Sequence, residues 1–138
     1  MKHFRLFLLL LIALSLTVNA VSAAQSDEPL ALVMTADGPI MPPMLEYIKR
    51  GIETADRRDA EVLIIQLNTP GGSVLTTLEI IHEIRASSVP VVVYVSPKNA
   101  IAGSAGAIIT MVGHASAMAP ESTIGASTPI SSTGENLD

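Results

Sequence analysis

Two glycine-rich stretches of this sequence could bring a backbone anion site and a hydroxyl to one place. The first is Asn68-Thr69-Pro70-Gly71-Gly72-Ser73. Pro70 fixes a turn, and Gly71 and Gly72 permit dihedrals that other residues avoid and let a ligand approach the backbone. If a helix starts there, its first N–H groups are unpaired and the positive end of its dipole stands behind them. Such a loop suits an anion, either a phosphate or the oxyanion of a tetrahedral intermediate. No Lys follows as in a Walker loop, and the stretch is not a G-x-G-x-x-G. The plain alternative is a tight turn between a strand and a helix.

The second stretch is Ala102-Gly103-Ser104-Ala105-Gly106-Ala107. Small neighbours let Ser104 sit at a helix start with its hydroxyl exposed, and the Ala105 N–H would face the same space. This is similar to a nucleophile elbow, although Ala102 breaks the G-x-S-x-G pattern. The plain alternative is an N-cap serine opening a buried helix. A serine hydroxyl is a weak nucleophile without an adjacent base. Behind the first 24 residues the lysines are Lys49, on an expected exposed helix face, and Lys98, in the loop before Ser104. Both read as surface charges. His82 falls on the polar side of a helix, and His114 follows a helix stop. No pair among His3, His82 and His114 has metal-ligand spacing, and there is no Cys, so no metal, cofactor or thiolate chemistry is expected.

Alternating elements must position these loops. Residues 29–36 and 60–67 are continuous apolar runs of strand type, and 90–95, "PVVVYV", is a third. Residues 115–120 read as a fourth, short strand. Pro42-Pro43 opens a helix with Met44, Ile48, Ile52 and Ala55 on one face. From Ser73 a second helix shows Leu75, Leu78, Ile81, Ile84 and Arg85 at helical spacing. Residues 104–113 read as a short buried helix closed by Gly113. Residues 96–103 read as a loop, and the stretch from Glu121 as an extended tail. The order β-α-β-α-β-α-β with continuous apolar strands predicts an α/β fold: a mainly parallel sheet with helices on both faces. Its functional loops belong at the carboxyl ends of strands, where both glycine-rich stretches fall.

Composition narrows the function. The 138 residues allow one domain, with 49% apolar and 15% charged residues. Nucleic acid is excluded as a partner by the lack of a basic patch and of interleaved aromatics. Residues 1–24 have a basic start (Lys2, His3, Arg5), an apolar run from Leu6 to Val18 and small residues at Val21, Ala23 and Ala24. That is the plan of a cleaved signal peptide, with an apolar run shorter than the ~20 residues a spanning helix needs. Residues 25–138 would then be exported, with net charge moving from −5 to about −7 as Lys2 and Arg5 leave.

The pairing of "NTPGGSVLTTLEIIHEIRASSVPVVVYV" with "AGSAGAIITMVGHASAMAPESTIGASTPI" resembles the NfeD-type membrane-bound serine proteases, of the Clp protease/crotonase fold. The likeness runs from about Leu30 to Ile130. It implies a serine endopeptidase with Ser104 as nucleophile, Gly71 and Gly72 as the oxyanion loop and the Ala105 N–H as second donor. Clp proteases carry a His where this chain has Gly125, so the resemblance points to a Ser-Lys dyad instead. Its Lys lies on a helix beyond "GASTPI", further along than Asp138, so these 138 residues are expected to be the N-terminal part of the domain, with little peptidase activity of their own. The resemblance also implies membrane helices and a small β-barrel domain further along, a homo-oligomer, protein or peptide substrates with apolar segments, and a stomatin-like membrane partner. Two rivals are a non-catalytic peptide-binding module and a crotonase-type acyl-thioester enzyme, the latter disfavoured by the export signal.

Overall fold

The structure, a computed structural model, describes residues 28–126. The expected leader and the residues after Ala126 lie outside them. Six strands and three helices follow one another: β1 (Ala31–Asp37), α1 (Pro42–Arg57), β2 (Val62–Asn68), α2 (Val74–Ala86), β3 (Val91–Val95), β4 (Ile101–Gly103), α3 (Ala105–Val112), β5 (Ala115–Met118) and β6 (Thr123–Gly125). The main sheet has the order β1-β2-β3-β5, and all its pairings are parallel.

That order decides where the helices go. Each crossover moves one strand further in the same direction, and right-handed crossovers of that kind all return over the same face. Met34, Ile65 and Val93 align across three strands, as do Ala36, Leu67 and Val95. All six are buried, together with Leu63 and Val91. The alternate positions, Val33, Thr35, Ile64, Gln66, Val92 and Tyr94, are half-buried or exposed. The expected parallel α/β sheet is therefore present, but among the described residues its helices cover one face, not both. Continuous apolar strands suggested two covered faces; a monotonic strand order gives one.

Helix α1 starts at Pro42-Pro43, where missing N–H groups cost nothing. It buries Leu45, Ile48 and Ala55, with Met44 and Ile52 half-buried. In α2 the expected face is only partly right. The buried residues are Thr76, Thr77, Ile80 and Ile84, whereas Leu75 is 75% exposed and Leu78 57%. Apolar residues surround most of this helix, so periodicity does not choose a face. Packing between α1 and α3 does. The buried Thr77 hydroxyl is satisfied there, its Oγ1 donating to the Ser73 carbonyl at 2.7 Å, and the Ser73 side chain caps the helix by accepting from the Thr76 N–H at 3.4 Å.

The segments expected as a loop before Ser104 and an extended tail each contain a strand. β4 and β6 pair in parallel as a small second sheet, with Ile101 opposite Thr123 and Gly103 opposite Gly125. Three-residue strands carry too little periodicity to be read from sequence.

Candidate active site

The two glycine-rich loops meet at the carboxyl end of the sheet. Thr69 and Ala102 form an isolated parallel bridge. The Thr69 N–H donates to the Ile101 carbonyl at 2.6 Å, and the Gly103 N–H donates to the Thr69 carbonyl at 2.9 Å. Asn68 adds a side-chain tie on each side: its Nδ2 donates to Asp37 Oδ1 at 3.1 Å and its Oδ1 accepts from the Ile101 N–H at 3.0 Å. The ends of β1, β2 and β4 are thereby locked in one register.

Ser104 stands on this frame in an uncommon conformation, φ 48° and ψ −112°. A non-glycine residue there costs on the order of 1–3 kcal/mol and persists only where its surroundings enforce it. Here the Ser104 N–H donates to the Gly125 carbonyl at 2.9 Å, and helix α3 begins at the next residue. The side chain makes no capping hydrogen bond, so Ser104 is not an ordinary N-cap serine. Its hydroxyl is turned away from the task that reading would assign. As the first residue of α3, Ala105 has an N–H without a partner among the described residues.

The glycines around Ser104 are enforced by contact. Gly71 has φ +110°, and a Cβ there would lie 2.8 Å from Ser104 Cβ and 3.0 Å from the Gly103 carbonyl oxygen. A Cβ on Gly103 would meet the Pro70 carbonyl oxygen at 2.9 Å. Gly72 lies against Ile40, with a would-be Cβ 2.2 Å from the Ile40 carbonyl oxygen. Ile40 holds the loop from outside: its N–H donates to the Gly71 carbonyl at 2.9 Å and its carbonyl accepts the Ser73 N–H at 2.8 Å.

The two loop glycines differ in what their N–H groups do. That of Gly71 donates to Thr69 Oγ1 at 3.1 Å. That of Gly72 has no partner among the described residues. Gly72, Ser104 and Ala105 line one pocket of about 110 Å³, completed by Val74, Thr77, Leu78 and Ile81 of α2 and Ile108 of α3. The two residues whose N–H groups have no partner among the described residues, Gly72 and Ala105, thus line the same apolar recess as Ser104. Sequence reading passed over both Thr69 and the pocket walls. The signal for the walls was the excess of apolar residues on α2.

No titratable side chain lines this pocket. Lys49 pairs with Glu83 at 3.5 Å, and Lys98 pairs with Glu121 at 3.0 Å. His114 Nδ1 accepts the Val91 N–H at 3.1 Å, a structural role. His82 is exposed on α2. At Gly125 a Cβ would meet nothing within 4 Å, so the position whose backbone touches Ser104 offers space but no base. Among the described residues no three His, Cys, Asp or Glu side chains gather as a metal site.

Comparison with known proteins identifies relatives of this chain. The chain is 41% identical over 91 residues to the membrane-bound protease PH1510 of Pyrococcus horikoshii, covering 66% of this chain and 21% of that protein. It is 28% identical over 137 residues to the membrane protein NfeD1b of Bacillus subtilis, covering 99% of this chain and 30% of that one. Among solved structures, the 1510-N membrane-bound stomatin-specific protease superposes with a TM-score of 0.75 in two forms. One is a lysine-to-alanine mutant in complex with a substrate peptide, at 36% identity over 80% of this chain and 52% of that one. The other is a serine-to-alanine mutant, at 35% identity over 80% and 55%. The chain therefore shares the α/β fold of that protease and spans about half of its solved length. Residues 33–138 match the family described as NfeD1b, N-terminal domain, and the chain belongs to that family.

Proposed function

We propose that this chain carries the nucleophile and oxyanion site of a serine endopeptidase. The observation that carries the reading is the strained, uncapped Ser104 beside two unused N–H groups, those of Gly72 and Ala105. Ser104 Oγ attacks a peptide carbonyl, and the oxyanion that develops receives both N–H donors. Such preorganised donors need no rearrangement as charge forms, and each is worth roughly 10²–10³ in rate. Gly71 serves by size and conformation, keeping the loop against Ser104 without a side chain in the way. The base is a lysine from outside residues 28–126, since the two lysines within them are engaged at the surface. This accords with the family resemblance and with a relative studied as serine and lysine mutants.

The pocket walls of Val74, Leu78, Ile81 and Ile108 suit an apolar side chain of the substrate. With a relative named stomatin-specific, this supports apolar segments of a stomatin-like membrane protein as substrate. Relatives named as membrane proteins support export and membrane association. Among the described residues no helix is long and apolar enough to cross a membrane, so on this reading the anchor lies elsewhere. A homo-oligomer completes the proposal.

The test is cleavage of an apolar peptide by the full-length protein. Ser104→Ala should lower kcat by at least about 10³-fold while peptide binding persists. Binding without cleavage, indifferent to Ser104→Ala, would replace this reading with that of a peptide-binding module.

A further inference from the structure

Thr69 is 1% exposed and is bonded through every polar group it has. Its Oγ1 accepts the Gly71 N–H at 3.1 Å and lies 3.4 Å from the Gly71 carbonyl oxygen. Its backbone N–H and carbonyl are held by Ile101 and Gly103, on the strand that delivers Ser104. Its methyl faces the helix behind Ser104: a Cβ built on Gly106 would fall 2.5 Å from Thr69 Cγ2. One β-branched side chain, stiff at χ1, thus touches the oxyanion loop with its hydroxyl and the nucleophile's helix with its methyl.

We propose that Thr69 is a positioning residue for the catalytic step. By taking up the Gly71 N–H, its hydroxyl fixes the turn so that the next N–H, that of Gly72, is left for the oxyanion. Its methyl fills the space beside Gly106, so that position has room only for glycine. The proposal rests on the serine-protease reading above and adds a residue that does not line the pocket.

Three measurements on the full-length protein test it: kcat and KM for an apolar peptide, thermal midpoint, and exchange of the Gly71 amide proton by NMR. Thr69→Val keeps the shape and removes the hydroxyl. It should speed Gly71 exchange and lower kcat by roughly 10–100-fold with KM within about twofold, because a donor misplaced by a fraction of an ångström fails mainly in the transition state. Thr69→Ser keeps the hydroxyl and should retain kcat within about threefold. Gly106→Ala should lower kcat through its clash with Cγ2, and the Thr69→Ser/Gly106→Ala double variant, which lacks that methyl, should recover most of the loss. Such non-additivity is expected only of residues in contact.

A wild-type kcat in Thr69→Val overturns the proposal. So does a loss that follows the thermal midpoint equally in Thr69→Val and Thr69→Ser, which would make Thr69 merely structural. Failure of the underlying reading looks different: Ser104→Ala would then leave cleavage intact, and the positioning role would fall with it. Unchanged Gly71 exchange in Thr69→Val overturns the proposal whichever way Ser104→Ala behaves.

Discussion

Ser104 is surrounded by Gly and Ala because three backbones converge on it. Gly71, Gly103 and Gly106 each lie where a Cβ would strike the opposite segment at 3.0 Å or less. Gly71 is the most constrained, since its φ of +110° disfavours any side chain even without the contact. Gly71→Ala is expected to lower peptide cleavage by about 10²-fold or more and to destabilise the fold by about 1–3 kcal/mol, read by peptide kinetics and by denaturant unfolding. Lys98 is the counter-example. It stands close to Ser104 in sequence, yet it pairs with Glu121 at the surface. Lys98→Ala should leave kcat within about twofold of wild type and shift stability by no more than about 1 kcal/mol. A large loss of kcat would return Lys98 to consideration as the base.

Helix α2 does two jobs on two faces. Ile80 and Ile84 face the core at 0% exposure, and Val74, Leu78 and Ile81 face the pocket beside Ser104. The two faces should therefore respond oppositely to truncation. Ile80→Ala is expected to cost about 2–5 kcal/mol of stability, as for other buried aliphatics. Leu78→Ala should stay within about 0.5 kcal/mol while lowering kcat/KM for an apolar peptide roughly tenfold, the loss of one apolar pocket contact. Unfolding and peptide kinetics on the same two variants check both halves. Equal effects in both assays would contradict the division of faces.

At the scale of the molecule, the main sheet is packed on one side among the described residues. Ile65 is fully buried under the helices, whereas its neighbour Ile64 points to the other, half-exposed face. In a chain of residues 25–138, Ile65→Ala should cost about 2–5 kcal/mol and Ile64→Ala about 1 kcal/mol or less, measured by denaturant unfolding. Repeating the pair in the full-length protein shows whether further chain covers that face. If it does, the cost of Ile64→Ala rises toward that of Ile65→Ala.

The sequence by itself determined the alternation of strands and helices and singled out the two glycine-rich loops, with Ser104, Gly71, Gly72 and Ala105 as the residues to watch. Those are properties of short windows: continuous apolar runs, helical spacing, Pro and Gly at turns. Both loops kept a plain reading beside the chemical one, because a tight turn and an anion loop, or an N-cap serine and a nucleophile on a turn, have the same neighbours. Only tertiary structure removed the ordinary N-cap reading, through the Ser104 backbone held by Gly125 and a side chain that caps nothing. It also decided which glycine N–H is unused, since that depends on the Thr69 hydroxyl. The covered face of the sheet followed from strand order, and the buried face of α2 from its neighbours. No local window contains either, because both are set by contacts between residues distant in the chain.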